Sequence, residues 1–158
     1  MTALGDFSSG DVLTAADLNA IGTWTDYSSS ITYGNLTVGN GTTNYALYVQ
    51  LNDLVIVQAQ FTLGSTSSVT GLLDISLPVT ADQPGSEPQV TVGFGRIFDA
   101  STSSVYWCTP YIVGTTAARL YVSNVTATYV FRSNITSTVP ISWTTGDSFQ
   151  AMVIYKAA

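Results

Sequence analysis

Histidine is absent from this chain of 158 residues, and its absence removes most of the usual catalytic chemistry. A Ser-His-Asp or Cys-His system and a His-based zinc site are all excluded. Glycoside hydrolysis needs only two carboxylates. The acids, Glu87 among them, lie mainly at strand ends and in turn-forming stretches, where aspartate is common for conformational reasons. No Asp-x-Asp-x-Asp calcium loop occurs either. We therefore predict a non-enzymatic protein with no catalytic residues, no metal and no cofactor.

Charged residues are scarce, at 9% of the chain against about 25% in ordinary globular proteins. The net charge is −6, and residues 1–95 contain eight acids and no base. The four bases come later, at Arg96, Arg119, Arg132 and Lys156. This balance argues against a nucleic-acid partner, because phosphate contacts require lysine and arginine. A surface with so few charges is typical of proteins covered by copies of themselves or by another protein.

The chain also has little cysteine and no long apolar run. Cys108 is its single cysteine, so no internal disulfide can form, and we predict a buried structural thiol. No segment reaches the eighteen or more apolar residues of a membrane span. The N-terminus lacks the basic and apolar regions of a signal peptide. These features predict a soluble product of the cytoplasm with no membrane partner.

Alternating strand patterns fill the chain from residue 27 onward. In the clearest one, Val55, Val57, Ala59 and Phe61 share one face, and Leu54, Ile56, Gln58 and Gln60 share the other. Turn signals recur every eight to twelve residues, and no helical pattern lies between the strands. We therefore predict an all-β domain over residues 27–158, a jelly-roll-like β sandwich. Its expected strands are 31–38, 43–50, 54–63, 72–77, 89–94, 104–113, 120–123, 127–132 and 149–156.

Residues 1–26 are predicted to form an N-terminal anchoring arm with one short helix. Thr14 is a suitable N-cap for a helix over residues 15–21, and Gly22 is a suitable C-cap. Leu13, Leu18 and Ile21 would form a small apolar stripe on it. Such a short helix needs a surface to dock on. That surface is either the chain's own β domain or another subunit or partner protein.

Three tryptophans, Trp24, Trp107 and Trp143, are the candidates for ligand contact. With the tyrosines they could form a platform on which sugars stack. In the alternative that the pattern favours, Trp107 and Trp143 fill the interior of the sandwich. Alternation places Trp107 on the strand face opposite Tyr106 and Cys108, without telling which face is inside.

Several segments carry a resemblance to a known group of proteins. They are YVQLNDLV at residues 48–55, FTLGSTSS at 61–68 and ISLPV at 75–79. FSSGDVLTAADLN at residues 7–19 looks like the short N-terminal motif of many phage tail and fibre proteins. ISWTTGDSFQAMVIY at residues 141–155 looks like the closing hairpin of their domains. Together the chain resembles tailed-bacteriophage virion surface proteins, whose modules of this kind are often outermost on an appendage.

The resemblance implies a virion structural protein, assembled in the host bacterial cytoplasm and located in the virion. Two roles follow from it. One is a capsid decoration protein that stabilises the shell by bridging major capsid subunits. The other is a tail-appendage or fibre-tip protein that contacts the host surface, including by binding a surface glycan. The resemblance and the charge-poor surface together predict a homotrimer, and a mass of 16.7 kDa in dilute solution would contradict it.

Overall fold

The described part of the chain is built entirely from antiparallel strands and turns. In this computed structural model the structure describes residues 12, 14, 22–82, 92–125 and 130–158. Ten strands are found in this part, numbered in chain order: β1 (Thr25–Asp26), β2 (Tyr33–Thr37), β3 (Thr42–Leu51), β4 (Leu54–Thr62), β5 (Ser68–Ser76), β6 (Gly93–Asp99), β7 (Ser104–Val113), β8 (Ala117–Asn124), β9 (Phe131–Asn134) and β10 (Ser148–Lys156). The predicted all-β class is confirmed. The predicted helix and Leu13, Leu18 and Ile21 lie outside the described residues.

The strands form one continuous hydrogen-bonded sheet. Its order is β1-β3-β4-β10-β6-β7-β8-β5-β2, with β9 added beside β8. β10 therefore lies inside the sheet, paired with β4 on one side and β6 on the other. β1, at residues 25–26 of the predicted arm, pairs with β3. Asn52 has a φ of 52° in the tight turn between β3 and β4, a conformation that asparagine adopts readily.

The sheet curls until strands far apart in its order meet through their side chains. The ring of Tyr33 in β2 lies 5.0 Å from that of Phe61 in β4 and 5.7 Å from that of Phe149 in β10, measured between centroids. Its hydroxyl is 2.9 Å from the hydroxyl oxygen of Thr43 in β3. Aromatic pairs at these separations stabilise a core beyond the area they bury. The concave side of the curled sheet is thus closed by packing across its interior.

The core follows from the period-two alternation of the strands. In β4, Val55, Val57, Ala59 and Phe61 are all buried, whereas the alternate residues are partly or fully exposed. The sidedness predicted for this strand is therefore confirmed. The largest side chains of the core are fully enclosed: Phe61, Phe149, Leu73, Ile75, Ile97, Leu120 and Ile135. One face of the sheet consequently supplies the core, and the opposite face is available for function.

A buried carboxylate ties together three chain segments beside this core. Asp147 is 0% exposed, and its two oxygens accept hydrogen bonds from the backbone N–H groups of Ala100, at 2.8 Å, and Thr144, at 2.6 Å. Its own carbonyl accepts a bond from the N–H of Leu63, just after β4. The side chain therefore fixes the turn after β6 against the turn before β10. Polar groups are tolerated at such depth when they are hydrogen-bonded in this way.

Candidate functional site

A row of side chains crosses the outer face of five neighbouring strands. Strand register aligns Tyr45 of β3 with Gln60 of β4, Gln60 with Gln150 of β10, Gln150 with Arg96 of β6, and Arg96 with Trp107 of β7. Directly opposed residues on antiparallel strands have Cβ atoms about 5 Å apart, so their side chains are neighbours. The row therefore brings together two aromatic rings, two amides and a guanidinium that are far apart in the sequence.

Hydrogen bonds along the row fix the orientation of its polar members. The Nε of Arg96 donates to the Oε1 of Gln150 at 3.0 Å. The Nε2 of Gln150 in turn donates to the hydroxyl of Tyr45. Both ends of the Gln150 amide are thus used, which sets its orientation. This chain of bonds holds the Arg96 guanidinium beside Trp107.

A second row lies next to the first and is more apolar. Its members are aligned in the same way across β3, β4, β10 and β6: Leu47, Gln58, Met152 and Phe94. Between the two rows is an open groove of about 390 Å³. We use "the groove" for the site lined by Gln58, Phe94, Gly95, Arg96, Trp107, Gln150, Ala151 and Met152. Its size lies in the range of small-ligand sites, about 300–1,000 Å³.

Two large aromatic side chains of the groove are turned to solvent. Trp107 is 63% exposed and Phe94 is 59% exposed. Exposed apolar surface of this size, beside a small number of oriented polar groups, is typical of a binding site. The groove lies on paired strands, so its geometry is set by backbone hydrogen bonds.

A glycine underlies the groove because the backbones are close there. A Cβ on Gly95 would lie 2.4 Å from the carbonyl oxygen of Gln150 and 2.8 Å from the Sγ of Cys108. Any side chain at this position would therefore push β6 away from β10 or from the core. Glycine within a strand often marks such a close backbone approach, and Gly95 shows one.

The tryptophans divide between the two predicted alternatives. The favoured core position is wrong for Trp107, because Cys108, Pro110 and Ile112 occupy the buried face of β7 and leave Trp107 on the other. Trp143 is partly buried against the core, and its Nε1 donates to the carbonyl oxygen of Thr136 at 2.9 Å. Trp24 is exposed and is not among the residues that line the groove.

The carboxylate of Asp99 has a structural role. Asp99 accepts bonds from the hydroxyl and N–H of Ser101 and from the N–H of Thr102, which shapes the turn between β6 and β7. The hydrogen bond from the Ser101 hydroxyl holds the pKa of Asp99 below its ordinary value.

Among the described residues, no group of three or more acidic, cysteine or histidine side chains could hold a metal ion. In the same part of the chain, no helix combines the length and hydropathy needed to cross a bilayer.

Cys108 is buried, as predicted, at 2% exposure beneath the groove. Burial raises the pKa of its thiol from 9.0 to about 12. The nucleophilic thiolate is therefore scarce near neutral pH. The thiol acts as a small apolar side chain of the core.

Alkaline conditions should consequently destabilise the protein in part through Cys108. Between pH 9 and 12 the folded thiol keeps a proton that the unfolded thiol loses, so the folded state binds more protons. The free energy of unfolding should fall as pH rises through this window, by up to about 1.4 kcal/mol per pH unit for one group. Burial also raises the pKa of Tyr155 to about 12, which adds to the fall above pH 10.

Urea unfolding of the wild type and of Cys108→Ala at several pH values measures this contribution. The variant should lose stability less steeply between pH 9 and 10, because the contribution of the thiol is removed. Parallel curves for the two proteins would contradict the shifted thiol pKa.

Comparison of the chain with protein-family models, with curated proteins and with solved structures found no match. The residues of the groove themselves therefore carry the functional interpretation. Sequence patterns had placed Trp107 among the candidates but missed Phe94, Arg96, Gln58 and Gln150. The alternation within each strand was legible, but the order and register of strands distant in sequence were not.

Proposed function

We propose that the protein is a non-enzymatic structural component of a bacteriophage virion, and that the groove binds carbohydrate on the host surface. The single observation that carries this proposal is the exposed Trp107 beside oriented polar side chains. The C–H faces of a sugar ring carry partial positive charge and fit the electron-rich face of an indole. The amides of Gln58 and Gln150 can both donate to and accept from sugar hydroxyls.

The proposed location in a virion is supported by the positions of the segments that resemble phage virion proteins. Residues 48–55 form the turn between β3 and β4 with parts of both strands, and residues 141–155 include most of β10. These segments thus contribute three of the five strands that carry the row. A tail-appendage or fibre-tip position would present the groove to the host.

A capsid decoration role is the second candidate, and exposed apolar side chains favour it. Leu54, Val105 and Ile154 are exposed on strands of the groove face. In a protein with 9% charged residues, they would suit a contact with major capsid subunits or with copies of the chain. The proposed homotrimer rests on the same exposed residues, and mass measurement in dilute solution tests it.

We also propose that the curled sheet is a variant of the jelly-roll-like sandwich. The packing of β2 against β4 and β10 across the interior supports two facing halves. A crystal structure with the same strand order and an evenly round barrel cross-section would contradict this.

Adsorption of phage particles to the host separates the two roles. Particles carrying Trp107→Ala should adsorb at least tenfold more slowly, because the largest exposed ring of the groove is lost. Val38→Ala changes an exposed aliphatic residue that belongs neither to the groove nor to the proposed apolar contact, and it should leave adsorption unchanged. Both kinds of particle should keep the thermal stability of their shells.

The opposite pair of results would identify a decoration protein. Particles lacking the protein would then break at lower temperature while adsorbing normally, because a shell-binding protein stabilises the assembled state by mass action. Unchanged adsorption together with unchanged shell stability would contradict both roles. Release of sugar from host polysaccharide by the purified protein would contradict the non-enzymatic part of the proposal.

A further inference from the structure

The charge distribution around the groove singles out Arg96. Among the described residues the other three cations have charged or aromatic partners: Arg119 donates to both oxygens of Asp74 at 2.7 and 2.9 Å, Lys156 lies 2.7 Å from Asp82, and the guanidinium carbon of Arg132 lies 5.0 and 4.7 Å from the ring centroids of Tyr111 and Tyr121. No described carboxylate lies within 4.0 Å of Arg96. Its Nε donates a hydrogen bond to the neutral amide of Gln150. An exposed guanidinium in a protein with a net charge of −6 has thus been left without an acidic partner in the described chain.

The hydrogen bond that holds Arg96 leaves the two terminal nitrogens of its guanidinium available to a ligand. Gln150 occupies the Nε, whereas the two terminal nitrogens have no hydrogen-bond partner among the described residues. Those two nitrogens form a planar fork whose spacing matches the two oxygens of a carboxylate. Holding the Nε reduces the side-chain entropy that a ligand would have to remove on binding.

We propose that the groove recognises an acidic sugar, with the ring stacked on Trp107 and the ring's carboxylate bound by Arg96. This inference rests on the proposed carbohydrate binding and specifies its ligand class. Arg96 and Trp107 are directly opposed across β6 and β7. A sugar ring lying on the indole therefore brings a carboxylate attached to that ring within reach of the guanidinium. The amide of Gln58, with the second N–H and the second oxygen lone pair of Gln150, remains for the hydroxyl groups.

The acidic net charge of the protein does not oppose this. At 0.1 M salt the Debye length is about 10 Å, so acids on distant surfaces are screened at the groove. A direct contact with Arg96 is screened much less. The direct contact with Arg96 therefore decides which ligand charge the groove prefers. An acidic sugar is preferred over a neutral sugar of the same shape.

Pairs of polysaccharides that differ only in charge test the inference. Alginate, polygalacturonate and polyglucuronate are each compared with their carboxyl-reduced forms, in which the acid has become a neutral hydroxymethyl group. Binding of oligosaccharides from each pair is measured by calorimetry at 0.1 M salt. Wild-type protein should bind at least one acidic form at least tenfold more tightly than its reduced partner.

Variants then assign the preference to residues. Arg96→Gln should lower the affinity for the acidic form much more than the affinity for the reduced form, so that the preference for the acidic form is lost. Arg96→Lys keeps the charge but not the planar fork, so it should retain only part of the preference. Trp107→Ala should weaken binding of both forms. Because Arg96 and Trp107 are exposed, these variants should melt within about 2 °C of the wild type.

The outcomes separate this inference from the proposed function. Equal affinity for acidic and reduced forms would overturn the acidic-sugar assignment and leave carbohydrate binding standing. Preference for a phosphodiester-linked teichoic acid over all three carboxylated polymers would overturn the carboxylate assignment. Binding to none of the acidic forms would overturn the inference, and the adsorption of Trp107→Ala particles would then decide the proposed function by itself.

Discussion

Replacing Phe61 by alanine is expected to lower the free energy of unfolding by about 3–5 kcal/mol, the usual loss for a buried phenylalanine. Phe61 is 0% exposed, and its ring packs against Tyr33 and Phe149, with centroids 5.0 and 5.8 Å away. The substitution removes the contact through which β4 meets β2 across the interior. In a chain of this length, such a loss corresponds to a fall in Tm on the order of 10 °C.

Phe94→Ala is the matched control for this experiment. The same side chain is removed, but Phe94 is 59% exposed and lines the groove. Its Tm should change by no more than about 2 °C, while ligand binding weakens. Equal losses of Tm in the two variants, measured by calorimetry, would show that the core does not close in the way described.

Replacing Asp147 by alanine should cost about 2–4 kcal/mol. Two partly buried hydrogen bonds to a charged acceptor, from the backbone N–H groups of Ala100 and Thr144, would be lost, at about 1.5–3 kcal/mol each before water replaces part of the loss. Asp147→Asn should cost less, because the one remaining oxygen can still accept from one of the two donors. Urea unfolding of both variants measures the difference.

Asp26→Ala serves as the control for Asp147. Its carboxylate also accepts a backbone bond, from the N–H of Ser28 at 2.8 Å, but on the exposed surface where water can replace it. We expect a loss of no more than about 1 kcal/mol. A loss at Asp26 equal to that at Asp147 would mean that the buried junction does not stabilise the fold more than an ordinary turn does.

The sequence predicted single strands well where one face is buried. The strand expected at residues 104–113 has the same bounds in the structure, Ser104–Val113. The alternation of β4 also separated its two faces correctly. In both strands the signal is local, because a period of two is imposed by the backbone itself.

β6 was predicted only in part. A strand was expected at residues 89–94; residues 89–91 lie outside the described part of the chain, and the observed strand, Gly93–Asp99, continues five residues beyond Phe94. Glycine has a low β propensity, so Gly95 gives a local pattern no reason to continue the strand. Here the tertiary contact requires a glycine, since a Cβ on Gly95 would collide with the backbone of β10. A local pattern contains no information about that neighbour.

The groove could not be assembled from the sequence for a related reason. Its row joins residues 45, 60, 96, 107 and 150, and β10, which lies at its centre, follows all the others in the chain. Alternation shows which residues share a face within a strand, but only the pairing of β10 with β4 and β6 aligns them across strands. Whether Trp107 faces the core or the solvent also could not be decided without the pairing of the strands.

The place of β10 in the sheet also determines when this protein can fold during its synthesis. The ribosome makes β10 after the nine other strands of the described chain, yet the sheet needs it between β4 and β6. Until then the growing chain carries two strand edges with unpaired backbone groups, which are ready to pair with other chains. A chain released before residue 148 would lack the seam of its sheet rather than a dispensable end. Crowded polyribosomes would therefore favour aggregation of incomplete chains. Rapid synthesis of β10 would protect against this aggregation.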